Sequence, residues 1–294
     1  MSSGMPETLA GPHQPPGGRA AEIPSVDWWV TSRCNLACDF CYGPAPARDP
    51  AGLRDAIFSA IASSSAAAVT FCGGEPLIVR GLDRYARRLA DLGKQTVLNT
   101  NGQFLRKRLQ QGLELVFSVV GLSIDGSGDA VHRAMRGTRA DLESVLDAAR
   151  LIAAAPGISL KLATVVSAVN RADLPALASL IGQLKPDVWR LYQYSSRGAQ
   201  NVGQQRHALP EDEFRSLAAM AADRAAPVPT RPSDESLTVG CLIVDPGGNV
   251  LQPTAGGYDN LGNCLAEPID EIWARMPSSA TIIENKRWLS ALAK

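Results

Sequence analysis

Three cysteines lie close together near the start of the chain, in the order Cys34, Cys38 and Cys41. At spacings of four and three residues, three thiolates can hold three irons of a 4Fe–4S cluster, and the fourth iron then has no protein ligand and can bind a small molecule. A zinc site is one alternative, but structural zinc normally has four ligands and the three histidines are distant in sequence. Unreactive core thiols are the other alternative, which the polar character of this segment disfavours.

The composition favours a soluble protein with one large folded unit. The 294 residues include 29 Lys or Arg and 29 Asp or Glu, a balance that argues against a surface for a nucleic acid polymer. The longest apolar candidate for a membrane span, Leu113 to Ile124, is too short and contains Glu114. Residues 1–20 are rich in Gly and Pro and lack the apolar run of a secretory signal. We expect a disordered N-terminal tail over residues 1–20, no membrane association and a cytoplasmic location.

Short apolar runs alternate with longer amphipathic stretches from residue 25 onward, which is typical of repeated βα units around a parallel sheet. The predicted strands cover Asp27 to Thr31, Ala67 to Phe71, Thr96 to Thr100, Leu115 to Ile124, Ser159 to Val166 and Val188 to Tyr194. The predicted helices cover Leu53 to Ser64, Leu82 to Leu92, Gln103 to Gln111, Asp141 to Ala154 and Leu174 to Leu184. This pattern predicts an α/β fold, a partial (β/α)6 barrel similar to a TIM barrel over residues 21–200. Its ligand site should lie at the carboxyl ends of the strands. The three cysteines follow the first predicted strand and therefore lie at this same edge.

The βα pattern ends after Tyr194. Residues 201–294 are predicted to form a C-terminal extension that caps the mouth of the barrel. Its expected parts are a helix that begins near Pro210, a Pro- and Ser-rich segment over residues 226–236, a hairpin from Gly240 to Leu251, a Gly-rich loop, and a short helix around Ile269 to Met276.

The cysteine spacing after the first predicted strand resembles the cluster motif of the radical S-adenosylmethionine (radical SAM) superfamily. Further matches to that family are Phe40, Gly73-Gly74-Glu75-Pro76, Asn99-Thr100-Asn101-Gly102, Ser123-Ile124-Asp125-Gly126, and His132 with Arg136. The resemblance covers about residues 25–200, and all these motifs fall where the predicted strand ends converge. The resemblance implies one 4Fe–4S cluster on Cys34, Cys38 and Cys41, and S-adenosylmethionine (SAM) bound to the open iron. It also implies reductive cleavage of SAM to a 5′-deoxyadenosyl radical that abstracts hydrogen, with an electron donor such as flavodoxin or ferredoxin.

The same resemblance assigns residues to SAM. Phe40 is expected near the adenine, the Gly73-Gly74-Glu75-Pro76 loop near the methionine ammonium, and Arg136 near the methionine carboxylate. Further contacts are expected from Asn99, Asn101, Ser123, Asp125 and Thr164. These assignments also make physical sense without the family resemblance. A zwitterionic amino acid needs an acid for its ammonium and a cation for its carboxylate, and glycines let the backbone approach closely. The alternatives are that Gly73 and Gly74 form a plain turn and that Asp125 caps a helix or turn.

Basic side chains on the last two predicted barrel strands are candidates for substrate binding. Alternation along a strand puts Arg190 and Tyr192 on one face. With Lys161 and Arg197 they would form a cationic rim for a phosphate or carboxylate. The alternative is that these long side chains face solvent.

The C-terminal segment resembles a degenerate form of the SPASM or twitch tail, which holds an auxiliary cluster in peptide-modifying members of the superfamily. Cys241 and Cys264 are too few for a cluster with four thiolates, and Pro253 and Thr254 stand where a further cysteine is usual. We therefore predict a single cluster and expect Cys241, Cys264 and Cys72 to be buried thiols.

The predicted enzyme acts on a small polar substrate, such as a nucleotide or sugar derivative, because the single cluster and the basic residues resemble viperin-like members. One alternative is modification of a ribosomally synthesised peptide. Others are a glycyl-radical activase, and a non-catalytic iron–sulfur or zinc module.

Overall fold

Strands and helices alternate in the computed structural model, and this confirms the predicted α/β fold. The structure describes residues 23–45, 47–197, 201, 203–233, 242–254 and 256–276. The predicted disordered tail, residues 1–20, lies outside these ranges.

The elements are numbered in chain order. The strands are Val26–Thr31 (β1), Ala68–Gly73 (β2), Gln95–Thr100 (β3), Val119–Ser123 (β4), Ser159–Val166 (β5), Val188–Gln193 (β6), Thr230–Ser233 (β7), Leu242–Val244 (β8), Asn249–Thr254 (β9) and Gly257–Asn263 (β10). The helices are Leu53–Ser63 (α1), Leu82–Asp91 (α2), Leu105–Gln110 (α3), Asp129–Arg136 (α4), Leu142–Ala153 (α5), Leu174–Leu184 (α6), Glu211–Ala225 (α7) and Ile269–Ala274 (α8).

The strands form one sheet with the order β10-β9-β8-β1-β2-β3-β4-β5-β6-β7. From β1 to β7 each strand is parallel to its neighbour and follows it in the chain. The carboxyl ends of these strands therefore lie along one edge of the sheet. The two outer strands of the described sheet are β10 and β7, so the barrel is partial, as the sequence predicts.

Alternation along β1 separates the core from the interior of the barrel. Trp28 packs against Phe58 of α1, Phe71 of β2 and Tyr85 of α2, with ring centroids 6.2, 5.5 and 5.4 Å away. Its neighbour Trp29 points to the opposite face, as successive strand residues must, and lines the central cavity. The helices thus cover one face of the sheet, while the other face encloses the cavity.

The strand register aligns polar residues of the central strands inside the barrel. Asn99 of β3 pairs with Gly121 of β4, which in turn pairs with Lys161 of β5. Two residues further along β5, Ala163 is level with Arg190 of β6. This register puts Asn99, Gly121 and Lys161 side by side at one height.

Two elements of the barrel differ from the prediction. Strand β4 starts at Val119 rather than at Leu115, because the preceding apolar residues pack before the strand begins: Phe117 is buried against Phe71, with ring centroids 5.6 Å apart. Helix α4 has no predicted counterpart. Its eight residues are too short for a clear periodic signal, and its buried face consists of His132 and Met135.

The extension contributes strands to both edges of the sheet. β7 pairs with β6, and β8 pairs with β1, followed by the antiparallel strands β9 and β10. β10 forms where the sequence predicts a Gly-rich loop, because pairing with β9 supplies the hydrogen bonds that local propensity does not. The division into domains at residue 200 stays a prediction. No helix in the described part of the chain is both long and apolar enough to cross a membrane.

Candidate active site

The loop that carries the three cysteines, residues 32–43, is referred to here as the cysteine loop. The end of β1 and the start of the cysteine loop pair with the Gly73-Gly74-Glu75-Pro76 loop at the end of β2: Gly74 N–H donates to Thr31 O at 2.8 Å, and Glu75 N–H donates to Arg33 O at 2.8 Å. A Cβ on Gly74 would lie 2.1 Å from Arg33 O, which no side chain can tolerate. The glycine is therefore required for the two loops to pair, a stronger role than a plain turn.

The thiols of the cysteine loop line one cavity. Leu36 N–H donates to Cys34 Sγ at 3.4 Å, and Gly43 N–H donates to Cys41 Sγ at 3.3 Å. Burial raises the pKa of Cys38 to about 12 and is opposed mainly by the charge of Arg136. Binding of a metal cluster must therefore displace protons from these thiols.

Thiolates are soft ligands that suit iron–sulfur clusters, and backbone N–H groups donate to two of the three sulfurs here. The cysteine loop therefore fits a cluster held by three cysteines. A Cβ at Gly43 would lie 3.2 Å from Cys41 Sγ, so glycine keeps the space beside that sulfur open. In the described part of the chain, no group of three or more His, Cys, Asp or Glu residues is placed to hold a single metal ion.

Glu75 connects the ends of β2 and β3. Its Oε1 accepts from Leu77 N–H at 2.9 Å and from Thr100 Oγ1 at 2.7 Å, and its Oε2 accepts from Asn101 N–H at 2.9 Å. The side chain is 1% exposed, and burial raises its pKa although these hydrogen bonds act in the opposite direction. One acceptor position on Oε2 is left for a donor in the cavity.

Arg136 and Asp125 form a buried ion pair beside the cysteine loop. Arg136 Nε lies 2.5 Å from Asp125 Oδ2, while Asp125 Oδ1 accepts from Val165 N–H at 2.7 Å. The guanidinium lies 5.6 Å from the centre of the Phe40 ring, and Cys38 Sγ lies 3.5 Å from Arg136 O. Asp125 thus holds Arg136 beside Phe40, and both Arg136 and Phe40 line the cavity.

His132 lies one turn before Arg136 on α4, and its imidazole is 1% exposed. Nδ1 accepts from Asp125 N–H at 3.3 Å. Burial and the nearby Arg136 charge lower the pKa of His132 from 6.5 to about 4. The ring is therefore neutral in the folded protein at pH 7.

His132 is expected to make the fold sensitive to acid. Its pKa is lower in the folded than in the unfolded chain, so the unfolded chain binds more protons below pH 6.5, and stability falls as pH drops from 6.5 toward 4. Between pH 7.5 and 5.5, wild-type apoprotein should lose about 1 kcal/mol of unfolding free energy relative to His132→Asn, measured by urea denaturation. Asn is the matched change because its Oδ1 can still accept from Asp125 N–H. Parallel pH profiles for the two proteins would contradict this assignment.

The cavity has a volume of about 310 Å³ and lies at the carboxyl ends of the barrel strands. All the residues assigned from sequence to the cluster, SAM or substrate line it, except Pro76 and Asp125. Pro76 begins a short 3-10 turn over Pro76–Ile78. Asp125 is fully buried in its ion pair with Arg136, and its contact with SAM stays a prediction.

Thr164 lines the cavity, but its hydroxyl already has two partners. It donates to Ile124 O at 2.6 Å and accepts from Trp189 Nε1 at 3.0 Å. The amide of Asn101 is also engaged, because Nδ2 donates to Asn35 Oδ1 at 2.8 Å. These contacts tie the strand ends together around the cavity.

The predicted substrate residues face the interior of the barrel rather than solvent. Lys161, Arg190 and Arg197 are each at most 6% exposed. Lys161 Nζ donates to Asn99 Oδ1 at 2.6 Å, Arg190 Nη2 donates to Ser233 Oγ, and Arg197 Nε donates to Ser195 Oγ at 2.8 Å. Tyr192 lies beside Arg190, whose guanidinium is 5.3 Å from the ring centre.

Gly121 makes the position of Lys161 possible, and sequence reasoning missed it. A Cβ at Gly121 would lie 2.4 Å from both Lys161 Cε and Asn99 Oδ1. The lysine chain therefore crosses β4 over this glycine to reach β3. A single glycine inside an apolar strand is a signal of such close approach.

The extension closes part of the cavity with residues that carry no sequence signal. Tyr258 of β10 packs edge-on against Trp29, with ring centroids 5.3 Å apart, and its hydroxyl donates to Tyr42 O at 2.5 Å. Cys72 is half-buried and lines the cavity, which corrects the expectation of a buried thiol. Cys264 is buried as expected, and Cys241 lies outside the described residues.

Comparison with known proteins gives a family match over half of the chain. Residues 29–181 match the family model described as the radical SAM superfamily. An S-adenosylmethionine-dependent nucleotide dehydratase of Lacinutrix mariniflava is 25% identical over 88% of this chain and 56% of its own length. A pre-heme d1 synthase of Dinoroseobacter shibae is 30% identical over 74% of this chain and 56% of its own length. The chain thus spans about half the length of each of these two relatives.

A solved structure of SuiB from Streptococcus suis, bound to the precursor peptide SuiA, has a similar fold. It superposes with a TM-score of 0.68 at 14% identity and covers 91% of this chain and 67% of its own. At this identity the likeness shows the partial barrel fold alone.

Proposed function

The chain belongs to the radical SAM superfamily, and from this we propose that it is an enzyme that abstracts hydrogen from a small, polar, anionic substrate. The observation that supports the substrate class is the set of three buried basic side chains, Lys161, Arg190 and Arg197, around one cavity with the cysteines. Ammonium and guanidinium groups form charge-assisted hydrogen bonds with phosphate and carboxylate oxygens, so these side chains suit an anionic substrate.

The cofactors of this family are a 4Fe–4S cluster and SAM. The proposed ligands of the cluster are Cys34, Cys38 and Cys41, which line the cavity together. When bound, the two cofactors supply a 5′-deoxyadenosyl radical for hydrogen abstraction. The electron comes from an external one-electron donor, for which flavodoxin or ferredoxin is the proposed class.

The side chains around the cysteines are suited to orienting SAM. Glu75 presents its remaining acceptor position to the methionine ammonium, and Arg136, held by Asp125, presents its remaining N–H groups to the carboxylate. Phe40 offers an apolar face beside the cysteines for the adenine. In this proposal the side chains bind and orient SAM and substrate and exclude water from the cavity, while the cofactors supply the reactive groups.

The anionic substrate is proposed to bind deeper in the barrel. Lys161 is at the level of Asn99, and Arg190 is level with Ala163, two residues closer to the carboxyl ends of the strands. Their charged groups can form charge-assisted hydrogen bonds with phosphate oxygens. The nucleotide dehydratase among the relatives supports a phosphorylated substrate, although it is only 25% identical.

Lys161→Met tests this substrate class. Anaerobically reconstituted protein with SAM is titrated with nucleoside mono-, di- and triphosphates, sugar phosphates and the matching unphosphorylated compounds. For the best phosphorylated ligand we expect Kd to rise by about 10- to 100-fold in Lys161→Met, because one charge-assisted hydrogen bond is lost. Formation of 5′-deoxyadenosine should be stimulated by the same ligand.

Lys107→Met is the matched control, since Lys107 is exposed on α3. It should leave Kd unchanged. Equal affinity for phosphorylated and unphosphorylated compounds would overturn the proposed substrate class. Stimulation of 5′-deoxyadenosine formation by peptides alone would instead favour the peptide-modifying alternative.

A further inference from the structure

His207 connects the segment after β6 with the cysteine loop. It ends a short 3-10 turn over Gln205–His207, and its side chain is fully buried. Its Nε2 lies 2.9 Å from Oδ1 of Asp39, a residue 168 positions earlier in the chain. Neither the cysteine motif nor the residues assigned to SAM include His207.

The second nitrogen of the imidazole joins a different element. Nδ1 lies 3.2 Å from Ser167 Oγ, directly after β5. Ser167 Oγ in turn accepts from Val169 N–H at 3.2 Å. Because a carboxylate only accepts hydrogen bonds, Nε2 donates to Asp39, and the ring bridges the cysteine loop and the end of β5.

The ring also packs against the aromatic residue of the cysteine loop. Its centroid is 5.7 Å from that of Phe40, in an edge contact, and 5.3 Å from that of Tyr194. The carbonyl of Phe40 accepts from Asn201 Nδ2 at 3.0 Å, and Asn201 O accepts from the Tyr194 hydroxyl at 2.9 Å. Both residues between Cys38 and Cys41 are therefore held by the segment after β6.

We propose that His207 is a positioning residue for the cysteine loop, which acts through Asp39 and Phe40 to set the orientation of the cluster and of the SAM adenine. This inference rests on the proposed function. Phe40 also lies under the Arg136 guanidinium, so a change in its orientation reaches the proposed SAM carboxylate site. The imidazole of the bridge is fully buried and forms two hydrogen bonds, so its loss affects the geometry of the cysteine loop.

A neighbouring residue offers a matched control. Arg206 also forms an ion pair with Asp39, but the arginine side chain is 52% exposed. An exposed ion pair contributes little to a fixed geometry. Arg206→Gln should therefore leave the cysteine loop in place, although it removes the positive charge that pairs with the Asp39 carboxylate.

The experiment compares His207→Phe, His207→Gln and Arg206→Gln with the wild-type protein after anaerobic reconstitution. The readouts are iron content, the electron paramagnetic resonance spectrum of the reduced cluster with and without SAM, and Kd for SAM. His207→Phe keeps the ring and loses both hydrogen bonds, so we expect full iron content, an altered SAM-dependent spectrum and about a 10-fold higher Kd. His207→Gln can keep one hydrogen bond and should raise Kd by about 3-fold, whereas Arg206→Gln should change it by less than about 2-fold.

An unchanged spectrum and Kd in His207→Phe would overturn the proposal, as would equal effects of His207→Phe and Arg206→Gln. If His207→Phe does not fold, His207→Gln against Arg206→Gln decides, and equal Kd values for these two would overturn it. A wild-type protein that binds no iron cluster would instead refute the proposed function, so the two failures are distinguishable.

Discussion

Replacement of Cys34, Cys38 and Cys41 by Ala should remove iron binding and SAM cleavage together. The three thiols are the proposed cluster ligands and line the same cavity. With three ligands gone, anaerobic reconstitution should yield less than about a tenth of the wild-type iron content and no 5′-deoxyadenosine, because a cluster is held through its cysteine thiolates. Iron analysis, the visible absorption spectrum and chromatography of the reaction products measure these effects.

Cys264→Ala is the control for this variant, since it removes a buried thiol of the C-terminal segment. It should keep full iron content and SAM cleavage. Persistent cleavage in the triple variant would refute the site assignment. Loss of about half of the iron in Cys264→Ala would refute the prediction of a single cluster.

Arg136→Gln should both destabilise the fold and abolish SAM binding. The change leaves the fully buried Asp125 carboxylate without its cationic partner, which costs about 3–5 kcal/mol of unfolding free energy. It also removes the cation proposed for the methionine carboxylate, so we expect Kd for SAM to rise by at least about 100-fold. Urea denaturation and equilibrium binding of SAM measure the two effects separately.

The double variant Arg136→Gln with Asp125→Asn distinguishes the two roles of Arg136. Since it removes both charges of the pair, it should recover most of the lost stability. SAM binding should stay weak, because the cation is still missing. Recovery of both properties would show that Arg136 acts only on the fold. Arg106→Gln removes an exposed ion pair with Asp147 and should cost less than about 1 kcal/mol.

The proposed cysteine site can be predicted from the sequence because its chemistry depends on local spacing. Cys34, Cys38 and Cys41 share one loop, and the predicted first strand places that loop at the carboxyl edge of the sheet. The glycines after β2 are also readable, since loop pairing at Gly74 excludes any side chain. Most strands and helices follow from periodicity, while the start of β4, helix α4 and the strands β7 and β10 do not.

Other parts of the site depend on residues that are distant in the chain. Asp125 is predicted as a contact for SAM, and only the fold shows that it is fully buried in an ion pair with Arg136. His207 reads as an isolated histidine, and only the return of the segment after β6 brings it to Asp39. From the sequence, Lys161 fits a solvent-exposed position as well as a substrate site. Only the strand register shows that its side chain crosses Gly121 inside the barrel.

The amino-acid sequence thus determines the spacing of the three cysteines proposed to bind iron. The alternation of βα units determines the edge of the sheet at which these cysteines lie. The tertiary structure decides which carboxylate faces the cavity, which cations are buried around it, and what holds the cysteine loop. The physical reason is that thiolate spacing and side-chain alternation are local properties of the backbone. Burial, ion pairing and register depend on elements that meet only after folding.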